Sequence, residues 1–226
     1  MTQDRLLRTG AGISLVLSPI LALVAWFIRP GLDSDEQAQL GTFADSAAAV
    51  DWAIVLNMLS VILAVFAVLG VLHLLREKDA VLGYVGGATA IAGMVLIAVS
   101  GGVEGAANAL ARSGVTSDTV AVYEDIVTGP VGWMLIIGGV LMGVGLLMLA
   151  VNLYQTRVVP EPSAALIGLF AVGQFIGFAI FSTPVVLASF AVLAVATIPV
   201  GYMLLTETDE QWKHAPRFHW YRPVGI

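Results

Sequence analysis

The sequence predicts an all-α polytopic membrane protein, a six-transmembrane-helix bundle, and three observations predict it. Apolar residues make up 58% of the 226 and charged residues only 12%, where a soluble domain is about a quarter charged; mean hydropathy is +0.92. Apolar runs of roughly the 20 residues that a helix needs to cross hydrocarbon recur along the chain, without the apolar–polar alternation of a barrel strand. The basic residues also sort by loop. With the N-terminus inside, the inner segments hold Arg5, Arg8, Arg76, Lys78, Arg157, Lys213, Arg217 and Arg222, against Arg29 and Arg112 outside. That is the asymmetry of a multi-pass protein with both termini cytoplasmic, and a prokaryotic plasma membrane is the expected location.

The elements follow in order. "MTQDRLLRTG" and "AGISLVLSPILALVAWFI" have a charged start and an apolar core, as a signal peptide would. The core is long for that role and ends in "WFIRP", so a retained first span over about 11–28 is expected. The next segment, "DSDEQAQLGTFADSAAAV", predicts a short helix capped by Ser34, with acidic residues in its first turn. Leu40, Phe43 and Ala47 share one face of it, which suits the outer interface. Spans two and three, about 52–75 and 81–103, flank the short inner connection "LREKDAV" and are expected to be antiparallel neighbours. A second short outer helix is expected in "TSDTVAVYEDI", followed by spans of about 131–153, 163–182 and 185–205. The whole chain reads as one transmembrane domain with a cytoplasmic tail over 206–226, whose Trp212, Phe218, Trp220 and Tyr221 suit an inner membrane surface or a protein partner.

Glycine pairs four residues apart (Gly83 and Gly87, Gly139 and Gly143, Gly173 and Gly177) predict close helix contacts in spans three to five. Gly139 and Gly173 are expected to face neighbouring helices. No Walker lysine or strand–turn–helix context accompanies these glycines, so they are not a nucleotide loop.

Several chemistries are excluded. The chain has no cysteine, which removes disulfides, thiolate catalysis, iron–sulfur clusters and Cys-ligated zinc. His73 is the only histidine expected within a span, where a bis-histidine haem needs two. No cofactor, metal site or nucleic-acid partner is expected.

Polar residues in and near the spans are the informative ones. "SGGVEGAANAL" sets Glu104 and Asn108 one helical turn apart at the outer end of span three. Asn57 enters from span two, Trp133 stands at the mouth of span four, and Gln174 lies inside span five. These five residues are the candidate ligand-binding set, and no catalytic set is assigned. At about 1.5 Å per residue, a helix starting at Val81 has crossed some 30 Å by residue 101, so Glu104 falls at the interface. Two readings follow. Glu104 and Asn108 face water on a helical extension, or they form a polar cluster with Asn57, the amides donating to the carboxylate.

The basic start, the acidic outer segment, the "DWAIVLN" entry to span two, the acidic end of span three and four compact Gly/Ala/Leu-rich spans form one pattern. It resembles a broad group of uncharacterised six-span prokaryotic membrane proteins, the domain-of-unknown-function kinds of actinobacteria and haloarchaea. The resemblance implies a histidine at the position of Asn57 and an acidic residue at that of Glu104. The departure at Asn57 weakens an acid–base or metal role for the pair.

Three functions compete. The first is an integral membrane protein that binds a lipid or apolar small molecule, or serves as an accessory packing subunit. The second is an intramembrane isomerase or cyclase using Glu104. The third is a small transporter, which no mid-membrane carboxylate or filter-like loop supports.

Overall fold

The computed structural model describes residues 3–78, 80–208 and 212. Eight helices account for nearly all of them: α1 (Gln3–Ile28), α2 (Glu36–Asp45), α3 (Ala47–Leu74), α4 (Val81–Ser113), α5 (Ser117–Thr128), α6 (Pro130–Thr156), α7 (Glu161–Ala179) and α8 (Thr183–Thr206). Six of these, α1, α3, α4, α6, α7 and α8, have the length and apolar composition to cross a membrane.

Each spanning helix packs against the next, and α8 returns to α1, so the six form a closed ring. Small residues set the contacts. Gly12 of α1 meets Gly201 and Leu205 of α8, and Gly70 of α3 meets Ala11. On α4, Gly86 lies against Gly145 and Leu149, and Gly93 against Gly138 and Met142. A Cβ at Gly86 would stand 2.8 Å from the Gly145 carbonyl oxygen, which is the close backbone approach that substitutes for a hydrophobic drive inside lipid. Low numbers on one helix meet high numbers on its neighbour throughout, so the spans alternate in direction and Gln3 and Thr206 lie at the same end. Gly173 contacts Ser189 of α8 as expected, but a Cβ on Gly139 would meet nothing within 4 Å. The close contact belongs to its neighbour Gly138, whose Cβ would reach Leu96 at 2.8 Å.

One polar pair inside the ring joins two helices. Ser18 of α1 donates to the Ser60 carbonyl (3.0 Å) and Ser60 of α3 donates back to the Ser18 carbonyl (2.8 Å). Pro19, which cannot donate a backbone N–H, follows directly.

Exposed aromatic residues mark two levels. Trp52 and Trp133 lie at one end; Tyr84, Tyr154 and Tyr202 lie at the other. Along α6 the rise from Trp133 to Tyr154 is about 31 Å at ~1.5 Å per residue, the thickness of a bilayer's hydrocarbon core. These are the aromatic belts of a spanning protein. Trp133, 62% exposed, belongs to a belt.

Three expectations are corrected. Span three does not stop at 103: α4 continues unbroken to Ser113, because nothing in "VEGAANALARS" breaks a helix before Gly114. The N-cap of α2 is Asp35, not Ser34; Asp35 accepts from the Ala38 N–H at 2.7 Å. And α2 does not lie out on a lipid surface. Leu40 and Phe43, 0% and 1% exposed, pack with Val50, Ala107 and Ala111, while Ala47 opens α3. The extension of α4 gives α2 a protein surface to bury against. Beyond Glu207, Thr208 and Trp212, the tail lies outside the described residues.

Candidate functional site

At the end of the ring where α2 and α5 sit, the capped end, α1 finishes in "WFIRP". Trp26 is buried at 6% exposure, and its ring contacts Phe178 of α7 edge-on at 5.5 Å and stacks with Phe190 of α8 at 6.4 Å. Phe190 in turn meets Phe170 of α7 at 5.4 Å. Phe170, Gln174 and Phe178 are spaced four apart on α7 and share one face. An aromatic column therefore joins α7, α8 and α1 just inside the membrane boundary.

Arg29 sits on top of this column. Its guanidinium lies 4.7 Å from the Trp26 ring centroid and 5.8 Å from that of Phe43 on α2. Each ring face attracts the cation, more strongly where water is excluded. One nitrogen binds Glu104 of α4 at 2.8 Å, with the two side chains only 12% and 18% exposed. The Arg29 Nε is buried without a hydrogen-bond partner. Tyr123 of α5 lies within electrostatic reach of Arg29, Glu104 and Glu36. Burial pushes its phenol above the usual value, Glu104 and Glu36 push the same way, and Arg29 opposes them, so Tyr123 is a neutral hydroxyl at physiological pH. Four elements thus meet at one ion pair: α1, α2, α4 and α5.

The sequence singled out Glu104 but not its partner. No hydrogen bond joins Glu104 to Asn57 or Asn108 among the described residues. Asn57 is half-buried on α3. Asn108, 2% exposed, donates instead to the Ala47 carbonyl (3.0 Å) and to Asp51 (2.7 Å). Arg112 also binds Asp51, in a half-exposed ion pair. Asn108 thus belongs to a second network that ties the extension of α4 to the start of α3. Gln174, 5% exposed, donates to the Val186 carbonyl of α8 at 3.4 Å; it joins two helices and does not touch Glu104. Neither reading of Glu104 holds: it is on a helical extension, but it is ion-paired under a cap, neither solvated nor held by amides. A signal for Arg29 was present. The basic residues avoid this end of the molecule, so the two exceptions, Arg29 and Arg112, call for a local reason, and both hold a carboxylate.

A different surface of the same end is apolar. Leu23, Val24 and Phe27 of α1, with Leu187, Ala188 and Ala191 of α8, line an open groove of about 430 Å³. It faces outward, because α1 turns Ala22, Ala25 and Trp26 to the interior.

At the opposite end, Trp212 is buried and stacks on His73 of α3 at 4.2 Å. The Trp212 carbonyl accepts from Arg76, which also donates to the His73 carbonyl at 2.7 Å. Burial raises the pKa of Glu207 nearby, against the opposing effect of Arg8 and Arg76. His73 is a docking surface for Trp212 and not a free polar tip. Among the described residues, no group of three or more His, Cys, Asp or Glu side chains could hold a metal ion.

No protein-family model, curated protein or solved structure matches this chain.

Proposed function

We propose that this chain is a multi-pass protein of a prokaryotic plasma membrane, termini cytoplasmic and capped end outward, that binds a lipid or apolar small molecule. The observation that carries the reading is the α1–α8 groove. Its volume of about 430 Å³ falls in the usual range of small-molecule sites, roughly 300–1,000 Å³. Its lining is wholly apolar, and Phe27 lies two residues from Arg29, so the groove is at hydrocarbon depth. One hydrocarbon chain is the occupant that such a surface fits.

The enzymatic alternative loses support at Glu104. The Glu104 carboxylate is engaged by the Arg29 guanidinium at 2.8 Å and is only 18% exposed, so it is not presented to a substrate. The transporter alternative gains nothing from Ser18 of α1 and Ser60 of α3, which satisfy each other.

The test of binding is a photoreactive fatty-acyl lipid incorporated in nanodiscs with the purified protein. Labelled peptides should come from α1 and α8, and Ala188→Trp, which fills the groove, should reduce labelling severalfold. Labelling spread evenly over all six spans and indifferent to Ala188→Trp would rule the groove out. Orientation is tested separately. The chain has no native cysteine, so Asp45→Cys and Asp118→Cys should react with an impermeant thiol reagent on intact cells, and Arg157→Cys should not.

A further inference from the structure

The ion pair at the capped end is short of an acceptor. Arg29 has five N–H donors in a fixed fork. Glu104 takes one nitrogen at 2.8 Å, the rings of Trp26 and Phe43 lie against the guanidinium, and Nε is buried with no partner. A buried donor left without a partner is costly, so an acceptor oxygen delivered there is stabilised. Tyr123, packed against the cluster that holds Phe43, supplies a hydroxyl in the same neighbourhood.

We propose that Arg29, Tyr123 and the Trp26 and Phe43 rings form a binding site for the carbonyl oxygen of an uncharged amphiphile, which opens when α5, its cover, lifts. This site is distinct from the α1–α8 groove, since Trp26 and Arg29 face the interior while Leu23, Val24 and Phe27 face out. It is a second binding function and does not depend on the first.

Charge decides the ligand class. The positive charge of Arg29 is already matched by Glu104, and Glu36 lies in the same field. The cover itself carries exposed Asp118, Glu124 and Asp125. An incoming carboxylate or phosphate would meet Glu104 directly and cross this acidic surface. A neutral ester or ketone oxygen accepts the free N–H without either repulsion, and its apolar remainder meets aromatic faces.

The cover is held by partly buried side chains, Val120 and Tyr123, which pack on the Leu40 and Phe43 cluster. No residue of α5 is fully buried. It is bounded by Gly114, at φ +114, a conformation that favours glycine, and by Gly129. Its N-terminus is closed by its own capping box, Thr116 with Thr119, which satisfies the first N–H groups without help from the rest of the molecule.

The experiment uses the full chain in phosphatidylcholine nanodiscs with methyl decanoate carrying a ¹³C carbonyl, read by isotope-edited infrared spectroscopy. A saturable carbonyl band at lower frequency than the lipid-dissolved ester is expected, displaced by unlabelled ester and at least tenfold less well by decanoate or decane. Arg29→Met should abolish it. Because that variant strands Glu104, the double variant Arg29→Met/Glu104→Met, which removes both charges together, is measured as well and should also lack the band. The proposal is overturned if no saturable band forms, if decanoate competes as well as the ester, or if the folded double variant keeps the band. The first outcome would mean that the ring faces alone satisfy Nε.

Discussion

The capped end carries two short helices of similar length, and they are held in opposite ways. α2 has 10 residues and buries Gln39, Leu40 and Phe43. Gln39 also ties it to the loop before it, accepting from the Asp33 N–H at 2.9 Å and donating to the Gly31 carbonyl at 3.3 Å. α5 has 12 residues and buries none fully; what it has is a complete capping box and a partly buried Tyr123. One helix is fixed by tertiary packing and the other by its own ends. Isolated helices of this length are marginal in water, so the difference teaches which one can open. α2 belongs to the walls around Arg29, and α5 is a cover over it.

The comparison breaks most sharply at Phe43. Phe43→Ala removes the largest buried side chain of α2 and one of the two ring faces around Arg29. A loss of about 3–5 kcal/mol is expected, read as a fall in thermal midpoint in detergent, whereas Val122→Ala on exposed α5 should leave the midpoint unchanged. If the two variants melt alike, α2 is no better anchored than α5.

The next effect tests what the two helices enclose. Glu104→Leu leaves a guanidinium uncompensated among aromatic rings, a change on the order of 3 kcal/mol for an ion pair this enclosed. Glu104→Gln keeps a carbonyl acceptor for the same nitrogen and should cost clearly less. Equal losses for Leu and Gln would mean that the charge matters and the hydrogen bond does not. Losses near zero for both would place Arg29 in water.

Local opening separates α2 from α5 directly. Amides in the middle of α5 should exchange with solvent well before those of α2, because few apolar contacts hold α5 closed. Matching protection in the two helices would remove the basis for calling α5 a cover.

The sequence carried the spans well and their rotations poorly, and both have one cause. A helix that is apolar all round announces that it lies in lipid or in a core, but it has no stripe to show which side meets a neighbour. The six spans were therefore legible to within a few residues, save where α4 runs on to Ser113. Adjacent Gly138 and Gly139 point about 100° apart on α6, and composition could not tell that Gly138 is the one that packs. The candidate site failed at the same step. The interfacial level of Glu104 followed from helix rise. Its partner depended on how α1 and α4 are turned, so Asn57 and Asn108 were nominated and Arg29 was counted as a loop charge. Gln174, expected in the ligand-binding set, bonds the neighbouring α8, the nearest place for a buried amide.

The smallest effect is the most discriminating. Both short helices begin with a side-chain cap, Asp35 for α2 and Thr116 for α5. Removing a cap costs about 0.5–2 kcal/mol wherever it is, so Asp35→Ala and Thr116→Ala lose comparable local energy. The consequence should differ. In α2, Leu40, Phe43 and Gln39 still hold the helix down, and the lost bond only raises the energy of a state that packing keeps closed. In α5 the capping box is a main source of order, and Thr116→Ala leaves the Thr119 N–H without its acceptor while only the bond from the Thr116 N–H to Thr119 Oγ1 remains. Thr116→Ala should therefore speed amide exchange across the first turns of α5 by roughly tenfold, as about 1.4 kcal/mol implies. Asp35→Ala should disturb only the N-terminal turn of α2, leaving exchange at Leu40 and Phe43 unchanged. If Asp35→Ala loosens all of α2 as Thr116→Ala loosens α5, both helices depend on their caps, and the contrast between wall and cover is lost.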